Sequence, residues 1–201
     1  MIFTVYNEKI TNKIPELQKK VCDKFEVNLT QIKVDNWISH GKSIDEVLNK
    51  IEDENEIITI LDIDTIPLNS NIIPNAINWC KNNIGIYAAA QRAVNINDSK
   101  KHAAPSFMVF SIKTFNLLGR PSFETTYRSD CGGELTHIAN EKNIQIKYLY
   151  PSHVERPDFV LEENIKFGMG TTYEGGIYHA FESRFTKNDY FFINKCLEIL
   201  K

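Results

Sequence analysis

The chain has 201 residues, carries a formal net charge of -3 and is 42% hydrophobic. This composition is that of a globular protein and excludes a disordered chain. It also excludes nucleic acid as the main partner, because binding of phosphate backbones depends on clustered lysine and arginine, which the sequence lacks. We expect one domain over residues 1–201.

The composition also bears on the compartment. No window approaches the roughly 18 consecutive apolar residues of a transmembrane helix. The first residues, Met1 to Tyr6, lack the basic start and long apolar run of a signal peptide. None of the four cysteines forms a C-x-x-C pair, which fits a reducing environment. We therefore expect a cytoplasmic protein without a transmembrane segment.

Segments with strand and helix patterns alternate along the chain. The predicted strands are Ile2–Tyr6, Leu29–Val34, Glu56–Leu61, Ile84–Ala90, Phe107–Phe110, Ile144–Leu149 and Ile177–His179. The predicted helices are Ile14–Phe25, a segment opened by the capping box Ser43–Glu46, Asn71–Asn82, Lys113–Leu118, Gly133–Glu141 and Lys187–Leu200. This order predicts an α/β fold with an open, mostly parallel sheet between helices, mixed in its second half. Ligands of such sheets bind beyond the carboxyl ends of the strands.

The most informative segment is the strongly apolar strand that ends in Leu61-Asp62-Ile63-Asp64. If the chain stays extended, residues i and i+2 point the same way, so Asp62 and Asp64 present two carboxylates to one place. Such a pair favours a bound divalent cation, because the like charges otherwise repel. The alternative is a pair of surface aspartates that open a turn before Pro67.

This arrangement resembles the D-x-D motif of metal-dependent GT-A glycosyltransferases, and the order of strands and helices before it is similar. The resemblance implies a GT-A-like (Rossmann-like) fold and Mn²⁺ or Mg²⁺ as cofactor, held by Asp62 and Asp64. It further implies a nucleotide-sugar donor, UDP- or GDP-linked, and a glycan or other hydroxyl acceptor. Asp62 would also contact the donor diphosphate.

Two later segments are similar to further landmarks of that family. Asp130, just before the predicted helix at Gly133, would face the acceptor and remove its proton in an inverting enzyme; it could also be only the N-cap of that helix. His179 would be the third metal ligand, or a structural histidine. Arg184 would clamp the diphosphate, or pair with a surface acid.

Further donor contacts are implied at the ends of the early strands. Thr4 and Tyr6, on the first strand, and Asp35, after the second, would hold the base and ribose. Arg92 would lie near the sugar or phosphate, or be a solvated arginine. The glycine-rich stretch 168–176 would be a loop that orders over the donor, or an ordinary flexible loop.

Other readings are weaker or remain open. The sequence after the first strand, Tyr6-Asn7-Glu8-Lys9, has no glycine, which excludes a Rossmann dehydrogenase or methyltransferase. A P-loop is also absent. A sugar nucleotidyltransferase would use similar metal chemistry, but would usually show a loop rich in glycine and arginine there. The non-enzymatic alternative is a GT-A-shaped protein that binds a sugar or nucleotide without transferring it.

Overall fold

A computed structural model describes residues 1–96, 100–181 and 188–201. The strands in chain order are β1 (Ile2–Tyr6), β2 (Thr30–Lys33), β3 (Ile57–Leu61), β4 (Thr65–Pro67), β5 (Gly85–Arg92), β6 (Lys101–Ser111), β7 (Gln145–Leu149), β8 (Pro151–Glu162), β9 (Ile165–Tyr173) and β10 (Ile177–His179). The helices are α1 (Lys13–Lys24), α2 (His40–Leu48), α3 (Ile72–Asn82), α4 (Ile112–Leu118), α5 (Gly133–Glu141) and α6 (Asp189–Leu200).

The main sheet has the strand order β2-β1-β3-β6-β5-β7 within the described residues. Neighbouring strands are parallel except at β6, which runs antiparallel to both β3 and β5. Strand β3 is buried at every position, as its apolar, β-branched sequence predicts. The predicted GT-A-like α/β fold, with a mixed and mostly parallel sheet, is therefore confirmed.

Helices cover both faces of this sheet. One core contains the apolar side chains of α2, α4 and α5, including Ile44, Phe115 and Leu135. The core on the opposite face contains Cys22 of α1 and Ala76 of α3. Among the described residues, none of the helices is long and apolar enough to cross a membrane.

A second, antiparallel sheet has the order β4-β10-β9-β8. Strand β4 begins only a few residues after β3 ends, so this sheet starts next to the carboxyl end of the central strand. Strands β4 and β8 escaped prediction, because β4 has three residues and β8 is mostly exposed, with no simple alternation of apolar and polar side chains.

The glycine-rich stretch 168–176 is not the predicted loop; most of it belongs to β9, followed by the turn to β10. Gly168 lies so close to the Arg156 carbonyl on β8 that a Cβ atom would overlap it. Gly170 has a φ of 68° and packs against Glu155. These glycines therefore allow two strands to pack closely, rather than making the segment flexible.

Helix α2 begins earlier than its predicted capping box. Ser39 is the N-cap, and its hydroxyl accepts a hydrogen bond of 3.0 Å from Lys42 N. Ser43 lies inside the helix and donates to the Ser39 carbonyl at 2.9 Å. The earlier start places Gly41 against the backbone of Phe123. Helix α4 has a cap at each end: the Ser111 hydroxyl accepts a hydrogen bond from Thr114 N, and Gly119 ends the helix in the left-handed region at φ 89°.

We expect Gly41→Ala to lower the free energy of unfolding by about 1–3 kcal/mol, because the added methyl group must displace the Phe123 backbone. Urea denaturation followed by circular dichroism measures this change. Lys42→Ala, on the exposed side of the same helix, is the control and should change stability by less than about 0.5 kcal/mol. Equal losses for both variants would contradict the packing argument.

Candidate metal and nucleotide site

The two aspartates lie in a tight turn between β3 and β4. Thr65 N donates to the Asp62 carbonyl at 2.9 Å, which closes the turn. The fully buried Gln18 of α1 donates from its carboxamide to the Asp62 carbonyl at 2.8 Å and to the Thr65 carbonyl at 2.9 Å. The backbone that carries Asp62 and Asp64 is thus fixed by hydrogen bonds from another element.

Strand β10 places His179 beside the two carboxylates. His179 is paired with Thr65 of β4, and Ala180 N donates to the Asp64 carbonyl at 3.0 Å. His179 Nε2 lies 3.3 Å from Asp64 Oδ1 and 3.9 Å from Asp62 Oδ2. One potential ligand atom from each of the three residues lies within 4.8 Å of the others.

The structure therefore brings together the three predicted metal ligands. The cause is a turn, and not the extended backbone assumed from the sequence. Asp62 and Asp64 converge because the chain turns after Leu61, and β10 then closes the cluster from the side. The turn was the alternative interpretation of the motif, but these are not simple surface aspartates. Asp64 is buried, and the Asp62 side chain is only 21% exposed.

Burial shapes the electrostatics of this cluster. It raises the pKa of the Asp62 carboxyl; nearby His40 and His179 oppose the rise, and the charges of Asp64 and Asp130 add to it. For His179, burial alone would lower the pKa, but the charge and hydrogen bond of Asp64 and the charge of Asp62 outweigh it and raise the pKa. Without a cation, the protein thus opposes ionisation of the Asp62 carboxyl.

These residues fit a divalent cation. Asp62 Oδ1 is buried and accepts no hydrogen bond from the described residues, although the His40 ring lies beside it, so this oxygen can still coordinate a cation. Two carboxylates favour magnesium or manganese, and an imidazole nitrogen adds a softer ligand that magnesium rarely takes. The donor set therefore fits Mn²⁺ well and Mg²⁺ less well.

A second histidine, His40, borders the cluster and was missed in the sequence. It is the first residue of α2, and its Nε2 lies 3.3 Å from Asp62 Oδ1. Its ring stacks on Trp37 with centroids 6.0 Å apart, and its Nδ1 lies 3.8 Å from the Cys131 sulfur. The sequence pattern predicted a start of this helix near Ser43, which placed His40 in a loop and gave no reason to expect it near Asp62.

Asp130 lies close enough to the cluster for its charge to raise the Asp62 pKa. It is not an N-cap: α5 has Gly132 in that position, in the left-handed region at φ 74°. Instead, Asp130 Oδ1 accepts hydrogen bonds from Cys131 N at 2.8 Å and Thr125 Oγ1 at 3.3 Å. The N-cap alternative for Asp130 is therefore wrong, and its role as a base stays a prediction.

The loop that carries Asp130 is held by Glu134. Arg128 donates to both oxygens of this carboxylate, at 3.0 and 2.7 Å, and the hydroxyls of Thr126 and Ser129 each donate at 2.9 Å. The Arg128 guanidinium lowers the pKa of the Glu134 carboxyl to about 2. Both oxygens of Glu134 are thus bound within this loop. Asp130 is the carboxylate of the loop whose charge acts on Asp62.

The residues predicted to contact the donor nucleoside lie on β1 and just after β2. Thr4 is fully buried, and its hydroxyl has no hydrogen-bond partner among the described residues and no exposed surface for a ligand. Tyr6 is half-buried at the end of β1, and Asp35 is exposed just after β2. These two strand ends are adjacent, since Val34 N donates to the Tyr6 carbonyl at 2.8 Å.

The two predicted arginines are not part of the cluster as described. Arg92 ends β5 and lines a cavity of about 320 Å³ with Asp158 and Phe159. Neither Asp62 nor His179 borders this cavity. Arg184 lies outside the described residues, so its predicted diphosphate contact has no structural account.

The main sheet and the carboxylate–histidine cluster at its carboxyl edge define an open α/β protein with a candidate metal site. No family model and no curated protein matches the chain. Among solved structures, the mannosyltransferase PcManGT from Pyrobaculum calidifontis, in complex with GDP-Man and Mn²⁺, is 12% identical with a TM-score of 0.49; the match covers 98% of this chain and 64% of that one. This chain thus spans less than two thirds of that enzyme.

Two other solved structures are similar in fold. A glycosyltransferase involved in glycosylation of the major capsid of PBCV-1 is 11% identical with a TM-score of 0.48, and the match covers 94% of this chain and 98% of that one. A 4-diphosphocytidyl-2C-methyl-D-erythritol synthase from Anaerococcus prevotii is 11% identical with a TM-score of 0.48, covering 74% and 88%. At such low identity the likeness concerns the fold alone.

We expect Glu134→Gln to lower the free energy of unfolding by about 2 kcal/mol at pH 7, because it breaks a charged, bidentate pair. The Glu134 pKa is lowered on folding, so its contribution is complete above the ordinary value of 4.5 and is lost as the pH falls toward 2. Urea denaturation at pH 7 and at pH 3 should therefore show a smaller difference between wild type and variant at pH 3. A difference independent of pH would contradict this account.

Proposed function

We propose that the protein is a glycosyltransferase that moves a sugar from a nucleoside-diphosphate sugar to an acceptor hydroxyl. The observation that carries this proposal is the convergence of Asp62, Asp64 and His179 at the carboxyl edge of the sheet, where open α/β proteins bind their ligands. Such a cluster suits a diphosphate, whose oxygens can complete the coordination of a shared cation.

We propose that Asp62, Asp64 and His179 hold Mn²⁺ or Mg²⁺. These three residues would hold the cation so that it could neutralise the charge on the departing nucleoside diphosphate. The protein contributes a rigid, mostly buried set of ligands, since the Gln18 hydrogen bonds fix the turn and the β4–β10 pairing fixes the histidine. Little rearrangement of the protein is then needed when the donor binds.

The donor nucleoside is proposed to lie across the adjacent ends of β1 and β2, with Tyr6 offering a ring and Asp35 a carboxylate. Asp35 is suited to accept hydrogen bonds from a ribose or a base. Thr4 is left out of this site because of its burial. UDP- and GDP-linked donors, with a glycan or another hydroxyl compound as acceptor, are the proposed substrates.

Asp130 is proposed to be the general base. It belongs to the loop before α5, close to Asp62, and its carboxylate is bound by neutral donors rather than by a cation. An acceptor hydroxyl within hydrogen-bond distance of Asp130 could pass its proton to it while attacking the anomeric carbon. Residues 1–201 are proposed to act as one domain, because β4 and β10 of the second sheet supply part of the site.

The first test is metal-dependent binding of a nucleotide, measured by thermal denaturation with UDP, GDP or ADP, with and without Mn²⁺. One nucleotide at ~100 times its dissociation constant should stabilise the protein by about 2.7 kcal/mol, which corresponds to roughly 5–10 °C. Asp64→Asn should abolish the shift, because it removes a charged ligand at nearly constant shape. Asp53→Asn, at an exposed position, is the matched control and should keep it.

If none of the three nucleotides shifts the melting temperature of the wild type in the presence of Mn²⁺, the transferase proposal fails. A shift that persists in Asp64→Asn would place the nucleotide elsewhere. If the protein forms pyrophosphate from a nucleoside triphosphate and a sugar 1-phosphate, it is a nucleotidyltransferase instead. A glycosyltransferase releases nucleoside diphosphate from the nucleotide sugar.

The role of Asp130 is tested by hydrolysis of the nucleotide sugar selected above, with water as the acceptor. We expect Asp130→Asn to reduce the rate by about 10²–10⁴-fold, because water loses its base. Mn²⁺-dependent binding of the nucleotide should stay unchanged, since Asp130 is not a proposed ligand. A rate within a few-fold of the wild type would remove Asp130 from the mechanism.

A further inference from the structure

A buried hydrogen-bond network surrounds the far side of the His179 ring. The carboxamide nitrogen of Gln91, on β5, lies 3.0 Å from His179 Nδ1. The same nitrogen lies 2.9 Å from the Tyr173 hydroxyl and 3.2 Å from the Ser106 hydroxyl. All four side chains are buried, so this polar group is part of the interior and not of the surface.

The placement of Gln91 is unusual for its strand. It follows three alanines, Ala88 to Ala90, that are fully buried. A carboxamide at the end of such a run costs free energy unless it is hydrogen-bonded. Its partners come from three other strands: Ser106 from β6, Tyr173 from β9 and His179 from β10. Gln91 thus joins the main sheet to the second sheet at the back of the candidate metal site.

When its carboxamide nitrogen faces the ring, Gln91 sets which nitrogen of a neutral His179 carries the proton. A carboxamide nitrogen only donates, so the Nδ1 atom it faces must be bare. The proton of a neutral His179 is then on Nε2, which lies 3.3 Å from Asp64 Oδ1. In that tautomer the ring satisfies the carboxylate but has no free electron pair on Nε2 for a cation.

Turning the Gln91 carboxamide by 180° would move the preferred position of the His179 proton from Nε2 to Nδ1. Its oxygen would then face Nδ1, accept a hydrogen bond from N–H there, and leave a free pair on Nε2, directed toward Asp62 and Asp64. The two hydroxyls suit both orientations, because Tyr173 and Ser106 can each accept from an N–H or donate to a carbonyl oxygen. The contacts with His179, Tyr173 and Ser106 are therefore compatible with either orientation of the Gln91 carboxamide.

Ser106 connects this network to the D-x-D turn. It lies in a bulge of β6: Ala88 of β5 pairs with Met108 and the next residue, Ala89, pairs with Ala104, so Ser106 falls in the unpaired segment between them. Its carbonyl accepts a hydrogen bond of 3.2 Å from Asp62 N, while its hydroxyl contacts Gln91. Through Ser106, the bulge in β6 thus fixes the position of Asp62 relative to Gln91, the residue that contacts His179.

We propose that Gln91 is a positioning residue that selects the tautomer of His179, and that its carboxamide turns over when a divalent cation binds. This inference rests on the proposed metal site. In the metal-free protein Gln91 donates to Nδ1, and in the metal-bound protein it accepts from Nδ1–H. Outer-shell partners of this kind typically change metal affinity by about 10–100-fold.

The test compares Gln91→Glu with Gln91→Met at pH 7.5. An ionised glutamate can only accept, so it should hold the proton on Nδ1 and raise the affinity for Mn²⁺ without nucleotide by about 10-fold. Methionine has a similar volume but cannot accept well, and should lower the affinity by about 10-fold or more. Free Mn²⁺ is measured by electron paramagnetic resonance, and each variant's melting temperature is recorded.

The tautomer is measured separately, because an added carboxylate also attracts a cation. ¹⁵N spectra of the imidazoles, with His179 assigned by its loss in His179→Asn, should show a bare Nδ1 in the metal-free wild type and a bare Nε2 in Gln91→Glu. Ser106→Ala, which removes a hydroxyl partner but not the contact with the ring, is the control and should keep the wild-type tautomer.

Two results would overturn the role of Gln91 alone: an Nδ1–H tautomer in the metal-free wild type, or an Mn²⁺ affinity of Gln91→Glu no higher than that of Gln91→Met. A wild-type protein that binds no Mn²⁺ would instead overturn the metal site, and with it the turnover of the carboxamide. The two failures are therefore distinguishable in one set of measurements.

Discussion

The repulsion between two carboxylates at the end of a buried strand is the constraint around which the rest of the site is arranged. Asp62 and Asp64 are held together by a turn whose carbonyls are bound by Gln18, so they cannot separate to relieve the repulsion. His179 offsets part of this cost from one side, and His40 lies against Asp62 on the other. A bound cation would offset the remainder, which links metal binding directly to the stability of this edge.

Each sheet supplies a different part of this arrangement. The main sheet supplies the acidic turn, because the buried strand β3, apolar except for Thr59, ends directly before Asp62. The second sheet delivers the histidine, because β10 pairs with β4 immediately after the turn. Gln91 and Ser106 couple the two parts from the interior. The site therefore depends on packing between sheets as much as on the D-x-D residues themselves.

The sequence predicted what is encoded locally. The apolar run of β3, the acidic pair after it and the capped helix α4 are patterns within a few residues, and each lies where it was expected. The convergence of His179 with the acidic pair was also predicted, but from a family resemblance, since no spacing rule connects positions so far apart. The fold class followed from the alternation of strands and helices, which survives small errors in their bounds.

What the sequence missed depends on contacts between distant segments. His40 and Gln91 have no local signature, because their roles come from the neighbours that the fold gives them. Strand β8 is mostly exposed and carries no apolar alternation, so only its pairing with β9 identifies it. The glycine-rich stretch was interpreted as a loop, whereas Gly168 allows the close approach of a neighbouring backbone and Gly170 adopts a positive φ beside the Glu155 side chain. Propensity and periodicity do not contain this information.

The pairing of β10 with β4 has a consequence for how the protein matures. The acidic turn is made early in the chain, but its histidine partner arrives only after all six strands of the main sheet have been synthesised. Closing such a long loop is slow compared with forming helices and local turns. During synthesis, the two aspartates therefore exist for a time without the imidazole that lies beside them in the folded chain. The three-residue cluster is complete only when β10 pairs with β4, so the candidate metal site is among the last parts of the fold to form.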